Sequence, residues 1–230
     1  MRKIGIVGGL SWVSSAAYYQ RLNELATPAD GGVVSLPLVL ESVDRAAFID
    51  AVVARRDEAA ARDLVVSAAK ALEAAGAEVA LIACNEVHRF IPAIAEEVRV
   101  PFVHIVDAVA TGIRTAGMTK VGLLGVRKTM EGTFYSERLA PLGIETIVPR
   151  EARRQFVHDA IYDEFVRNVF TEEARTGYLD VVRELAEDGA QGVILGCTKI
   201  PLLLRPGDAA VPLFDTIDLH CRAALEAARG

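Results

Sequence analysis

The chain has 230 residues, 52% of them apolar, enough to enclose one large core or two small ones. Its 31 acidic side chains outnumber 25 basic ones for a net charge of -6, which argues against a nucleic-acid surface. No run approaches the roughly 20 apolar residues of a membrane span, and three widely separated cysteines argue against a disulfide framework or a zinc site and for free thiols in a reducing cytoplasm.

Met1-Arg2-Lys3-Ile4-Gly5 runs directly into a buried strand over 3–8, without the apolar stretch and cleavage site of a signal peptide. Gly8-Gly9-Leu10-Ser11-Trp12 reads as a tight turn into a helix over 16–25, with Ser11 or Ser14 as its cap. Free amides and the helix dipole make such a turn an anion site. The spacing does not supply G-x-G-x-x-G, so no nicotinamide cofactor is expected, and a carboxylate fits better than a diphosphate. A turn at Asp30-Gly31-Gly32, a strand over 33–40 and the polar stretch Glu41 to Arg45 follow. An Ala-rich helix over 57–75 ends at Gly76, and Arg55-Arg56-Asp57-Glu58 reads as its solvated face.

Val79-Ala80-Leu81-Ile82-Ala83 is a short apolar run that ends in Cys84-Asn85-Glu86, the pattern of a buried parallel strand delivering a cysteine at its carboxyl end. In open α/β sheets that edge binds ligands. A helix through Arg99, a strand and turn over 100–107, and a helix from Ala108 to Ala116 stopped by Gly117 complete the first half. His104 and Asp107 read as structural, and His88 as either a packing residue or one that orients a substrate or thiol.

From there the chain repeats itself. Lys120-Val121-Gly122-Leu123-Leu124-Gly125 echoes Lys3 to Gly8, Gly189 to Cys197 echoes Gly76 to Cys84, and Val211-Pro212-Leu213-Phe214 echoes Val100-Pro101-Phe102. The order is preserved and the spacing drifts slowly, from 117 positions (Lys3 to Lys120) to 111 (Val100 to Val211). This predicts a duplicated α/β unit. The expected lobes are residues 1–116 with 212–230, and 117–211. The fold expected is two pseudo-symmetric three-layer α/β/α lobes with mostly parallel sheets, and Cys84 and Cys197 facing one cleft between them. Cys221, alone in a C-terminal helix, reads as core filling. Trp12 reads either as a wall of the pocket or as a filler between lobes.

A thiol titrates near 8.5 and is readily tuned toward acid or base. One thiolate can take a proton from one face of a carbon while a thiol on the other side returns one, inverting the centre. Asn85, Thr198 and nearby amides are candidates to hold the anion formed. Nothing in this scheme requires a metal or a coenzyme.

At this point the chain resembles the cofactor-independent aspartate/glutamate racemases along its whole length. The residues that carry the resemblance are Ile4 to Trp12, Ala83-Cys84-Asn85 with His88, Gly122 to Gly125 with Thr129-Met130, Ile161 to Glu164, Gly196-Cys197-Thr198 and Phe214-Asp215-Thr216. The resemblance implies Cys84 and Cys197 as paired acid and base, no cofactor, a homodimer, and a small amino-acid substrate. It implies Asn85 and Thr198 at the substrate's amino-acid head. Ser11 and Thr129 join them as substrate-binding candidates, and Arg167, with Arg45 and Arg127 as alternatives, is the candidate grip on a distal acid group.

Three positions depart from the family pattern: Glu86 stands where Thr or Ser is common, Lys199 where an acidic residue or His is common, and Val126 where Thr is common. Glu86 and Lys199 each lie two residues past a cysteine, so they are expected to pair and to reshape how the substrate's polar groups are read. Aspartate or glutamate is the expected substrate class, with a polar derivative beside it. The alternatives are a paired-cysteine isomerase or decarboxylase of a small diacid, a hydantoin racemase, or a ligand-binding homologue that no longer turns over.

Overall fold

The computed structural model describes residues 1–29, 32 and 34–230. The expected turn at 30–32 and the start of a strand at Val33 fall largely outside that range. The chain divides into two compact units, Met1–His104 with His220–Gly230, and Ile105–Leu219.

In the first unit the order is β1 (Ile4–Gly8), α1 (Trp12–Ala26), β2 (Leu38–Ser42), α2 (Arg45–Ile49), α3 (Glu58–Ala74), β3 (Val79–Ile82) and α4 (Ile91–Glu97). The strands are parallel in the order β2-β1-β3, and Phe102 bridges to Ala80 beyond β3. Every residue of β1 and β3 is buried, as parallel strands covered on both faces require. Val7, Ala80 and Ile82 pack with Val65, Ala69 and Leu72 of α3 and Ile94 of α4. Asp57 caps α3 by accepting from the Ala60 amide at 2.9 Å, and Gly76, at φ 78°, ends it as expected. Two local expectations change. The second strand starts at Leu38, and residues 34–37 stand outside it. Arg55 and Arg56 are not a helix face, because a π-helical turn (Asp50–Ala54) ends there, Arg55 pairs with Asp50 at 2.7 Å, and Arg56 turns the corner at φ 52°.

The second unit runs α5 (Ile105–Thr115), β4 (Lys120–Leu124), α6 (Arg127–Met130), α7 (Ser136–Leu139), β5 (Glu145–Ile147), α8 (Glu151–Asp163), α9 (Glu172–Glu187), β6 (Val193–Leu195), α10 (Ile200–Leu203), β7 (Leu213–Asp215) and the start of α11 (Thr216–Arg229). Its parallel sheet has the order β5-β4-β6-β7. Alternate residues feed two cores: Leu124, Val193 and Leu195 pack with α8 and α9, while Val121, Leu123 and Ile194 pack with α5.

The repeat is visible strand by strand. In both units the first strand lies between the second and third, and a Pro-Phe or Pro-Leu-Phe segment pairs beyond the third. The amide of Ala80 donates to the Pro101 carbonyl at 2.9 Å, and that of Val193 to Pro212 at 2.9 Å. Glycines mark the same close approach twice. A methyl group at Gly5 would lie 3.1 Å from Leu72 Cδ1, and one at Gly122 would lie 2.8 Å from Leu185 Cδ1. In each unit the helix preceding the cysteine strand rests on a glycine of the first strand.

The units differ from the expected lobes. Helix α5 buries Ile105, Val106, Val109 and Ile113 in the second core, and β7 pairs with β6, so the second unit takes both 105–116 and 212–219. The strand and turn expected over 100–107 shrink to one bridge, and Asp107 lies inside α5. Among the described residues no helix is long and apolar enough to cross a membrane.

Candidate active site

Parallel pairing in register brings three strand ends of the first unit to one edge. Val7 lies opposite Glu41 and Ile82, so Gly8-Gly9-Leu10-Ser11, Ser42 to Arg45, and Cys84-Asn85-Glu86 all leave the sheet there. The Ala83 amide donates to the Val7 carbonyl at 2.9 Å and that of Val43 to Gly8 at 3.1 Å, tying the three exits together. Ser11 is buried at the N-cap of α1, but its side chain makes no capping bond. Ser15, one turn on, ties the loop to the helix instead: its hydroxyl accepts from the Gly9 amide at 2.9 Å and donates to the Ser11 carbonyl at 3.1 Å. Cys84 is a free, half-buried thiol, and Asn85 is buried beside it at the start of a 3-10 turn (Glu86–Phe90).

Glu86 finds a partner within that turn. Its carboxylate accepts from Arg89 at 3.1 Å, and Arg89 also reaches Glu58 at 2.9 Å. Within its own unit Glu86 thus forms an i,i+3 pair, because three residues along a helical turn put the two side chains on one face.

Behind Cys84 lies a buried cluster that the sequence did not reveal. The His88 ring donates from Nδ1 to the Cys84 carbonyl at 2.8 Å, since a carbonyl only accepts. The ring lies 5.0 Å from His104 and 5.3 Å from His220, centroid to centroid. His220 donates from Nε2 to the Val103 carbonyl at 2.8 Å, which leaves Nδ1 to accept from the Tyr18 hydroxyl at 2.9 Å. Burial, reinforced by the neighbouring rings, holds His88 well below the ordinary imidazole value, and burial pushes His220 down to about 4.

Both rings are therefore neutral when folded, whereas an unfolded histidine takes a proton near 6.5. Between these values the unfolded state binds more protons, so stability rises with pH. Unfolding free energy is expected to fall as pH drops from about 6.5 toward 4, with His220 alone accounting for about 3 kcal/mol. Denaturant titrations at pH 7.5 and 4.5 measure this. A loss that is unchanged in His220→Gln would contradict the assignment.

The second unit repeats the edge with different chemistry. Leu124 lies opposite Leu195 and Leu195 opposite Asp215, so Gly125-Val126, Gly196-Cys197 and Thr216 leave together. Cys197 is a free thiol, 8% exposed, with Thr198 and Lys199 buried after it. The Thr216 hydroxyl donates to the Leu195 carbonyl at 2.9 Å, and Asp215 accepts from the Ile217 and Asp218 amides at 2.8 and 3.1 Å. Helix α11 is thus capped by Asp215 and tied to the strand that bears Cys197. Thr129 lies against this strand end: a methyl group at Gly196 would sit 3.2 Å from its Cγ2. Its Oγ1 is buried and has no hydrogen-bond partner among the described residues.

The remaining candidates separate cleanly. Arg127 is bonded to Glu131 at 2.7 Å, Glu151 at 2.5 Å and Gln155 at 2.6 Å, so its guanidinium is engaged by carboxylates of its own unit. Arg167 is exposed on a 3-10 turn (Phe165–Arg167), and Arg45 opens α2 just past the end of β2. Trp12 is 64% exposed and Cys221 fully buried. Asp107 binds Arg138 through two bonds, the structural role expected of it.

The chain matches the Asp/Glu/Hydantoin racemase family over residues 7–224. A crystal structure of a putative Asp/Glu racemase from Yersinia pestis is 38% identical with a TM-score of 0.90, each chain covered completely. An aspartate racemase homologue from Pyrococcus horikoshii is 32% identical, again over the full length of both chains, with a TM-score of 0.86. A glutamate racemase from Deinococcus radiodurans is 33% identical over 156 residues, 65% of this chain and 51% of that enzyme, so the match spans about half that relative's length. Two parallel sheets each ending in a cysteine, and a family match from one end to the other, lead to one conclusion: the chain belongs to the Asp/Glu/hydantoin racemase family.

Proposed function

We propose that the protein is a cofactor-independent amino-acid racemase or epimerase in which Cys84 and Cys197 are the two bases. The observation that carries this is the duplicated strand end: the same position of the same folding unit delivers a free cysteine twice. One thiolate removes the α-proton and the other thiol protonates the opposite face. The roles exchange for the other enantiomer, so neither direction needs a resident redox group. Asn85, Thr198 and the amides of Leu10 and Ser11 hold the substrate's amino-acid head and its developing negative charge. Thr129, buried with a hydroxyl that has no partner among the described residues, supplies one further bond.

Relatives described as a glutamate racemase and an aspartate racemase homologue support an acidic amino acid as substrate. The Arg89 pair supports it too: with its charge answered locally, Glu86 repels a substrate carboxylate far less than a bare Glu would. Arg167 and Arg45 are the candidates for the distal acid group, and Lys199 takes a share in holding the negative charge near Cys197. The assay is a panel of single-enantiomer aspartate, glutamate and their polar derivatives in deuterated water. Loss of the α-proton signal together with loss of optical rotation is expected for one or more of them. Tight binding without exchange would instead favour a homologue that binds but does not turn over.

A further inference from the structure

We propose that His88 is a positioning residue for Cys84: its imidazole N–H holds the cysteine's carbonyl and thereby sets where the thiol points. The proposal builds on the assigned role of Cys84. Its first support is the 2.8 Å bond from His88 Nδ1 to the Cys84 carbonyl, a side chain reaching back four residues to the residue that bears the thiol.

The second support is the other unit, which serves as an internal comparison. There the carbonyl of Cys197 accepts from the backbone amide of Ile200 at 2.9 Å. Counting from each cysteine, Pro201 occupies the place of His88, and a proline side chain has no N–H to offer. One cysteine loop is closed by main chain and the other by an imidazole. A single side-chain change can remove the imidazole's bond, while the backbone bond in the other loop stays.

The third support is the ring's own cost. His88 is 1% exposed, and its Nε2 has no hydrogen-bond partner among the described residues. Burying a bare ring nitrogen is unfavourable, and an apolar side chain of similar size would fill the space without that penalty. The Nδ1 bond is what an apolar filler cannot supply. His104 and His220, in edge contact at 5.0 and 5.3 Å, keep the ring from swinging away. His220 is itself pinned by Tyr18 and the Val103 carbonyl.

Losing the imidazole bond loosens the hold on the Cys84 carbonyl, and a displacement near 1 Å at a reacting group costs about 10²-fold in rate. His88→Leu is expected to lower kcat by about 10–100-fold with KM little changed. His88→Asn, whose amide can take the place of Nδ1–H, is expected to restore most of the loss. A second readout does not depend on turnover: the alkylation rate of Cys84 by iodoacetamide, followed by peptide mass spectrometry with Cys197 as internal reference. His88→Leu should change the Cys84 rate several-fold and leave Cys197 alone, with His88→Asn close to the parent. Unchanged Cys84 alkylation in His88→Leu would overturn the proposal. So would Cys84 and Cys197 shifting together with a lowered Tm, because the effect would then be general loosening. If His88→Leu does not fold, His88→Met, longer and softer, takes its place under the same criteria. Should no amino acid be turned over by the parent protein, the racemase reading fails while the alkylation comparison still decides the clamp.

Discussion

Cys84→Ala and Cys197→Ala are each expected to lose racemisation by about 10²–10⁴-fold, the range a positioned acid or base contributes. The two variants should differ in what survives. With one base left, a variant can still exchange the α-proton of the enantiomer that presents hydrogen to that base, without inverting it. Cys84→Ala should therefore wash deuterium into one enantiomer and Cys197→Ala into the other. The substitutions are mild for the fold. Cys84 is half-buried, and Cys197 contributes only its sulfur to a core built from Leu124, Tyr178, Leu195 and Ile200. A stability change of about 1 kcal/mol is expected, to be checked by thermal melting beside the assay. Full racemase activity in either variant would remove that cysteine from the mechanism.

The largest expected effect on stability is at Gly9. Its φ of 81° lies in the left-handed region, and a methyl group there would lie 2.2 Å from the Val43 carbonyl oxygen and 2.5 Å from the Val43 nitrogen. Those are backbone atoms of the chain leaving β2, held in place by the bond from the Val43 amide to Gly8. No rotamer change relieves such a clash, so the two strand exits must separate. Gly9→Ala is expected to cost about 3 kcal/mol or more, combining left-handed strain with a lost hydrogen bond and a displaced loop. Gly143→Ala is the control. Gly143 has a similar φ of 73° with nothing within 4 Å of an added methyl, so only about 1 kcal/mol is expected. Chemical denaturation of the two variants checks the difference. Equal costs would mean that the Gly9–Val43 approach is not what holds this edge.

Much of this was legible in the sequence because parallel strands are written locally. Four to five apolar residues ending in glycine or cysteine are buried on both faces, and β1, β3, β4 and β6 fall where such runs stand. The duplication was legible for the same reason, since Gly5 and Gly122 mark the same helix-on-strand contact. The allegiance of residues 105–115 was not. An amphipathic helix declares that one face is buried, never against which sheet, and α5 packs its face into the second core. The histidine cluster was hidden because Tyr18 and His220 meet across 202 positions, which no local pattern records. His88 was half legible: its four-residue spacing from Cys84 fits a helical return, but its partner is a carbonyl, which leaves no trace in residue identity. Glu86–Arg89 was legible at i,i+3 spacing, where a helical turn brings opposite charges onto one face.

The most direct test of two bases acting from opposite sides is where solvent deuterium goes in the first few per cent of turnover. With a single enantiomer of a turned-over amino acid in deuterated water, label should enter the inverted product while the recovered starting enantiomer keeps its α-proton. Equal label in both enantiomers from the outset would mean that one group handles both faces, and the paired-cysteine account would be wrong.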